Sequence, residues 1–472
     1  MQILGREICL VFFLRKNRVR PREMKGGKDV QVKEKRLLCY RIFLYFVLAA
    51  TAVTMMFVYK FGVVDTVPDT ILLRKGQEEV IEFPVPVTAR IQPEGAKTPY
   101  PVSQKQVAET MSQSAAGIET PVTTSVSIIS GDAVSYTMDL KYMGIFPMKS
   151  VKLSTVSDRQ VLIGGQPIAI YVKSEGVLVI DTGSYVNQEG EEVSPSEDVL
   201  QPGDYIMQVD GETVPGKRQF IEMIENSDEQ EMILTIRRGG QVSQVVARPQ
   251  RSEDGVCKLG IWVRDSAQGI GTLSYITQDG KFAALGHGVN DTDVGCLMEL
   301  GRGSIYETSI LAIRKAEDER PGELTGVLTF EETDFIGSIE ENTDKGIYGN
   351  VSAEFVLGES GEEFLGDCAV YPVALKQEVQ AGPAQIYFEL EEAPAFYDVY
   401  IDEVHHNSGV LNRGIMLTIT DEKLLERTGG IVQGMSGSPI LQNGKVVGAV
   451  THVLVNDPTK GYGIFVEEML EH

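Results

Sequence analysis

"GIVQGMSGSPI", residues 430–440, sets one serine, Ser436, between Gly434-Met435 and Gly437, with Ser438 and Pro439 close behind. Apolar runs bracket it, "LTIT" at 417–420 and "KVVGAV" at 445–450. Glycine and proline punctuate the backbone, so the segment reads as a tight loop between strands. Such a loop is either a plain hairpin or a frame that presents Ser436 outward. The rest of the chain has to decide.

Residues 252–472 read as many short strands separated by glycine turns, among them "KLGIWV", "GIGTLSYI", "KFAALGH", "GIYGNVSAEFVL", "FYDVYIDEV" and "GYGIFVE". Strands at this spacing with few helices argue for a barrel or a sandwich. The whole chain has five histidines. His472 is terminal, His405-His406 sit among polar residues and read as solvated, and His452 lies in a strand just after the serine loop. His287 stands in "ALGHGV", flanked by glycines at a strand end, where an imidazole would have open access. A serine hydroxyl is a weak nucleophile near neutral pH and needs a neighbouring base, itself oriented by a third group. His287, Asp421 and Ser436 supply base, carboxylate and hydroxyl in one sequence order. Gly434-Met435-Ser436 would aim the N–H groups of Gly434 and Ser436 at one point, an oxyanion hole; losing one such donor typically costs about 3 kcal/mol of transition-state stabilisation. Asp291 and Asp293 lie nearer His287 in sequence, but "NDTD" reads as turn chemistry, and spacing does not show which carboxylate reaches the imidazole.

The chain has 472 residues, enough for two or three domains, and a net charge of −24. The charge is uneven. Residues 1–60 carry 13 Lys+Arg against 4 Asp+Glu, leaving 30 against 63 for the remainder. A body this acidic repels phosphate backbones, so nucleic acid is not an expected partner. Five cysteines without CxxC spacing exclude a disulfide scaffold and a zinc ribbon. Cys296 and Cys368 could pair, although small buried hydrophobes is the favoured role. Without HExxH and with scattered histidines, no metal and no cofactor is expected.

"IFLYFVLAATAVTMMFVY", residues 42–59, has no charge and is about 27 Å long as a helix, enough for a slightly thin hydrocarbon core. The basic stretch before it predicts a cytoplasmic N-terminus and a catalytic body across the membrane. The run is long for a signal-peptide core and lacks a small-residue cleavage site, so an uncleaved anchor over 37–60 is expected after a basic tail at 1–36. Met24 would also serve as a start. Residues 61–150 read as a small β element plus a Pro/Ser/Thr/Gln-rich linker at 92–122.

Within 151–250, Leu200 through Gly211 spell L-x-x-G-D-x-I-x-x-V-D-G, which resembles the signature of PDZ domains. The resemblance implies a peptide laid against an open sheet edge, its carboxylate held by a glycine-bearing loop. The matching loop is expected at Gly164-Gly165-Gln166-Pro167, with Ile168 following. Asp181-Thr182-Gly183 copies the aspartic-protease triplet, but that chemistry needs two such loops, and a turn after a strand is the expected role.

"GMSGSP" resembles the G-x-S-G-x-P nucleophile loop of chymotrypsin-like serine proteases. Together with "ALGHGVNDTDVG", "RPGELTG", "ENTDKGIYG" and "GGIVQGMSGSPILQNGKVVGAVTHV", the anchor and the PDZ-like stretch resemble the SpoIVB peptidase (stage IV sporulation protein B) family of endospore-forming bacteria. The resemblance implies a signalling serine endopeptidase with nucleophile Ser436, base His287 and acidic member Asp421. It further implies self-cleavage, and cleavage of a membrane-bound inhibitor of an intramembrane metalloprotease that matures a late sigma factor, at the forespore inner membrane. The expected fold is mainly β: an N-terminal transmembrane helix, a small β region, a PDZ-like α+β domain at 151–250 and a chymotrypsin-like double β-barrel at 251–472. The rival reading is a non-catalytic PDZ-bearing membrane receptor or scaffold with a degenerate protease fold.

Overall fold

The computed structural model describes residues 28–64, 67–93, 118–129, 135–317, 319–366, 369–391, 393–406 and 412–472. Most of the expected basic tail, nearly all of the expected linker and Cys368 lie outside them. Two compact units divide the chain, Met1–Asp65 and Thr66–His472. In the first, one helix spans Lys28–Tyr59 and continues as a π-turn to Val64. Its stretch Tyr40–Val64 is apolar enough to cross a membrane, with mean hydropathy 2.1. The Thr51 and Thr54 hydroxyls donate to the carbonyls of Val47 and Ala50 (2.8 and 2.9 Å), so neither polar group needs a partner outside the helix.

The second unit begins with a six-stranded sheet ordered Thr70–Arg74, Phe146–Val156, Ser135–Tyr142, Glu78–Pro93 and Ile118–Glu119, with Thr123–Ile129 also on Glu78–Pro93. Its strands show why they form: in "SYTMDLKY", Tyr136, Met138 and Leu140 alternate with polar residues and are the buried ones. This β element therefore runs to Val156 rather than ending near 150. Arg74 fastens it to the following domain by donating to Glu378 (2.5 Å), while Glu79 of its own sheet accepts a second bond (2.9 Å). Burial alone would raise the Glu378 carboxyl, but the hydrogen bonds from Arg74 and Lys445 outweigh it and hold it down to about 2.

Two barrels follow. The first is a ring of six strands in which Pro167–Thr182 pairs with Arg302–Glu307, that with Phe335–Thr343, then Gly346–Val351, Lys281–Ala284 and Ile261–Thr277, which closes back onto Pro167–Thr182. The second closes through Gly382–Glu389, Pro394–Val404, Ile415–Ile419, Asp457–Phe465, Lys445–Leu454 and Pro439–Gln442. Each has its own core, Ile170, Leu273, Phe282 and Ile347 in the first and Ile386, Phe388, Leu417 and Ile440 in the second.

The PDZ-like module is inserted into the first barrel, which corrects the expected boundary at 250. The two longest strands of the ring serve both bodies. Residues 167–173 pair with 266–272 in the barrel, while 178–182 pair with 261–264 in the module. There Leu178 and Val177 also meet Tyr205 and Ile206, and the sheet continues through Met232–Arg238 to Gln241–Ala247. Leu200, Ile206 and Val209 enter the module's core as the signature requires. Asp204 is fully buried because Arg238 grips both its oxygens, at 2.7 and 2.6 Å.

Gly164 to Ile168 do not form a carboxylate-binding loop. Gly164 donates to the Ser274 carbonyl (3.0 Å) and Gly165 to that of Leu273 (2.7 Å), and Pro167 and Ile168 pair with Thr272 and Gly271 inside the barrel. The glycines are there for close backbone approach: a Cβ at Gly164 would overlap the Leu273 carbonyl, and one at Gly165 would press on the Tyr387 ring. Gly164→Ala is therefore expected to lower stability by about 1–3 kcal/mol, through overpacking at the barrel seam. Denaturant unfolding with peptide binding to the module measured alongside checks this, since a binding-loop residue would instead lose peptide affinity at unchanged stability.

Candidate active site

The serine loop is shaped by bonds to both barrels. Within it, Met435 N–H donates to the Val432 carbonyl (3.1 Å), and the Ser438 amide and hydroxyl both donate to Met435 O (3.0 and 2.7 Å). Val450 O receives Gly437 N–H at 2.7 Å. The first barrel holds the other side through Thr272, whose hydroxyl donates to Gly434 O (2.7 Å) and whose amide donates to Ser436 O (2.9 Å). Gly434 and Gly437 have φ of 105° and 100°, which side-chain-bearing residues rarely adopt. A Cβ at Gly437 would also overlap the Thr272 carbonyl and lie 2.7 Å from Leu285 N.

The same seam receives His287. Leu285 backs onto Gly437, and a Cβ at Gly286 would crowd Thr451 and Ile464, so the chain must pass close to the second barrel as it delivers the imidazole. The His287 ring lies 5.2 Å from that of His452, and the Ser436 hydroxyl donates to Thr451 O, the residue before His452, at 2.8 Å. Nδ1 of His287 faces the Gly288 carbonyl at 2.9 Å. A carbonyl only accepts, so Nδ1 carries the proton and Nε2 keeps its lone pair. Burial pushes the His287 pKa below 6.5, against the Gly288 carbonyl, which raises it. Burial, then His287, then Arg413, push His452 down to about 4. Both imidazoles are neutral at pH 7, and a neutral imidazole can accept a proton.

Asp421 is not brought to His287. It caps the helix Glu422–Thr428, accepting from Leu424 N–H (2.9 Å) and Asp398 N–H (3.4 Å). The strand before it explains the separation. Ile415 lies opposite Gly463, level with the Ile464 that crowds Gly286, and Thr418 lies opposite Lys460, so the chain runs away from the site. The strand ends at Ile419, and Asp421 follows as the cap of the helix. Asp291 and Asp293 are occupied too, by Arg264 (2.5 and 2.6 Å) and, for Asp291, by two turn amides. The Gly288 carbonyl takes the place a carboxylate would hold.

Thr272, Thr451 and His452 belong to the site and were not singled out from sequence. Thr451 is buried, its hydroxyl bonded to the carbonyls of Asn412 (2.7 Å) and Tyr462 (3.1 Å). His452 Nδ1 is buried without a hydrogen-bond partner among the described residues. His406 departs from its solvated reading: its ring stacks on Phe465 at 5.9 Å, and burial, with Lys376 and His405 adding to it, lowers its pKa to about 4.

In the PDZ-like module an apolar groove of about 410 Å³ runs between the helix Lys217–Glu225 and the segment Lys258–Val263. Phe220, Ile221 and Ile224 form one wall, Leu259, Gly260 and Ile261 the other. Gly260, at φ +67°, sits where the chain turns into the strand. The module's groove thus lies beside Leu259, Gly260 and Ile261, away from Gly164–Ile168.

Asp421→Ala is expected to cost about 1 kcal/mol of stability through the lost cap. Asp421→Asn, which keeps a capping oxygen, is expected to retain both stability and kcat/KM. Thermal melts and steady-state rates on the two variants check this, and a large fall in kcat for Asp421→Asn at unchanged Tm would return the carboxylate to the catalytic set.

Residues 255–470 match the family described as SpoIVB peptidase S55. No curated protein matches the chain. Among solved structures, the PDZ domain of an SdrC-like protein from Listeria monocytogenes is similar at 23% identity, covering 20% of this chain and 90% of that one, with a TM-score of 0.17. The HtrA-type protease AlgW with a decapeptide is similar at 10% identity, covering 65% of this chain and 62% of that one, under two thirds of its length, with a TM-score of 0.26. Residues 255–470 are thus similar to the SpoIVB peptidase S55 family, and the chain is a serine endopeptidase.

Proposed function

We propose that this endopeptidase is anchored by its N-terminal helix with the catalytic body across the membrane, and that Ser436 is its nucleophile and His287 its general base. The observation that carries the assignment is the seam itself, where Thr272 of one barrel holds the serine loop of the other beside an imidazole with a free Nε2 lone pair. In acylation the Ser436 hydroxyl gives its proton to His287 Nε2 as its oxygen bonds the scissile carbonyl carbon. The oxyanion forms towards the amides of Gly434 and Ser436. His287 then returns the proton to the leaving amine, and water repeats the sequence to release the acid. At rest the hydroxyl donates to Thr451 O instead, so attack requires a turn about the serine side chain towards His287. Substrate binding along the neighbouring strand supplies the occasion for that turn.

The family supports a finer role. The protease cuts itself and a membrane-bound regulatory protein, releasing an intramembrane protease and, through it, a late sigma factor during sporulation at the forespore inner membrane. The groove beside Lys217–Glu225 would select the peptide by strand addition.

Two measurements test the chemistry. Full-length protein incubated alone in detergent is expected to fragment, and Ser436→Ala to stop this; fragmentation unchanged in that variant would remove Ser436 from the mechanism. Because His287 must be neutral to act and burial lowers its pKa, kcat/KM is expected to stay level as pH falls from 8 and to drop only below the ordinary histidine value of 6.5. An acid limb at or above that value would mean that a different group, or a charged partner, sets the base.

A further inference from the structure

We propose that Arg413 is a specificity-determining residue, which draws an aspartate or glutamate of the substrate to a place within about four residues of the scissile bond. The proposal rests on Ser436 and His287 as the catalytic pair. Arg413 is exposed, and its guanidinium lies 5.1 Å from the centre of the Tyr462 ring. Tyr462 stands opposite His452 where Asp457–Phe465 pairs with Lys445–Leu454. Residues directly opposed in a ladder put their side chains on one face, about 5 Å apart. The His452 ring in turn lies 5.2 Å from that of His287. Guanidinium, phenol and the two imidazoles therefore form one patch, with the cation roughly 15 Å from the general base, the span of about four extended residues.

The backbone that delivers Arg413 is pinned on both sides. Thr451, whose carbonyl receives the Ser436 hydroxyl at 2.8 Å, bonds through its own hydroxyl to the carbonyls of Asn412 (2.7 Å) and Tyr462 (3.1 Å). Asn412 has φ of 64°, a conformation asparagine tolerates, and its side-chain amide donates to Asp344 O of the first barrel. The residue before the guanidinium is thus fixed to both barrels and to the strand that holds the nucleophile.

What the guanidinium lacks is an anion. Beyond residue 60 the chain has 63 Asp+Glu against 30 Lys+Arg, and Arg238, Arg264 and Arg314 each hold a carboxylate. Among the described residues none pairs with Arg413, and its own stretch, "HHNSGVLNRG" at 405–414, contains no acid. A guanidinium lying over an aromatic ring can still give two parallel N–H bonds to a carboxylate, which a lysine cannot. A substrate can bring that carboxylate. Lys445–Leu454 pairs with Pro439–Gln442 only as far as Ala449, so among the described residues no strand covers the edge from His452 to Leu454 on the side of the serine loop. An extended chain added to that edge places alternate side chains over the His452–Tyr462 face. An acidic one among them meets Arg413.

The test incubates full-length protein in detergent with a randomised synthetic peptide library and reads the cut sites by mass spectrometry, with Ser436→Ala as the blank. Cuts that depend on Ser436 are expected to show Asp and Glu enriched about 3- to 5-fold at one position within about four residues of the cut, the discrimination of a single exposed ion pair. In wild type this enrichment is expected to shrink as ionic strength rises from about 0.1 to 1 M. Arg413→Ala is expected to level it, Arg413→Lys to keep part of it, and Arg413→Glu to replace it with Lys and Arg at the same position. The readout is a ratio among peptides cut by one sample, so a variant that is partly unfolded does not move it. Ser436-dependent cuts without acidic enrichment, or with the same enrichment in Arg413→Glu, overturn the proposal and leave the nucleophile standing. Cuts that persist in Ser436→Ala, or no cuts at all, overturn the catalytic pair and the specificity together.

Discussion

Thr272 is the point on which the catalytic arrangement depends. One residue of the first barrel supplies two donors, side chain and amide, to two carbonyls of the serine loop in the second barrel. A loop carrying two glycines at positive φ has many conformations open to it, and freezing one of them costs backbone entropy. The two bonds offset that cost and hold the loop in one conformation. Thr272 is itself fully buried, so both bonds are shielded from competing water. The site is thus a property of barrel contact rather than of either barrel alone.

How much of this could be read from the chain follows from what each signal encodes. Gly434, Ser436 and Gly437 were legible because tight backbone needs particular residues, and His287 because few imidazoles compete with it. The PDZ-like signature was legible for the same reason: Gly203-Asp204 must turn, and Asp204 must meet a cation. Its boundaries were not. Pro167–Thr182 and Ile261–Thr277 are each one continuous strand, and their polar middles, Lys173-Ser174-Glu175 and Arg264-Asp265-Ser266, read as turns rather than as the place where one body hands over to the other. Gly164-Gly165 misled because glycine reports close approach without saying what approaches; here it is Leu273 and Tyr387. Asp421 misled because sequence order carries residue type but no direction, and the strand before it leads away from the imidazole. Thr272 gave no local signal, since an isolated threonine in a strand is commonplace.

Burial governs the electrostatics of the site more than charge does. The body is strongly acidic, yet among the described residues no carboxylate shifts His287, and its pKa is set by desolvation with one backbone carbonyl opposing. A neutral acceptor fixes the tautomer without the cost of burying an ion beside the imidazole. What it forgoes is full Coulombic support for the imidazolium formed during attack. His452, adjacent and kept neutral by the same burial, at least adds no repelling charge at pH 7.

The shared strands also limit how tightly the module's groove is coupled to the serine loop. Ile261–Val263 border the groove and Thr272 grips the serine loop, so one strand touches both. A rigid ladder would transmit any twist along it. This one is interrupted twice within a few residues, by register shifts between Trp262 and Val263 and between Arg264 and Ser266, while the partner strand carries Gly176 at φ +77°. Bulges bend a strand locally and uncouple the twist on either side. Gly176 lies on the partner strand between the barrel-side and module-side pairings. The module is therefore joined to the barrel through two bent strands, and Glu299 holds the junction from the side, pairing with Arg237 and donating its N–H to the Tyr205 hydroxyl (3.1 Å).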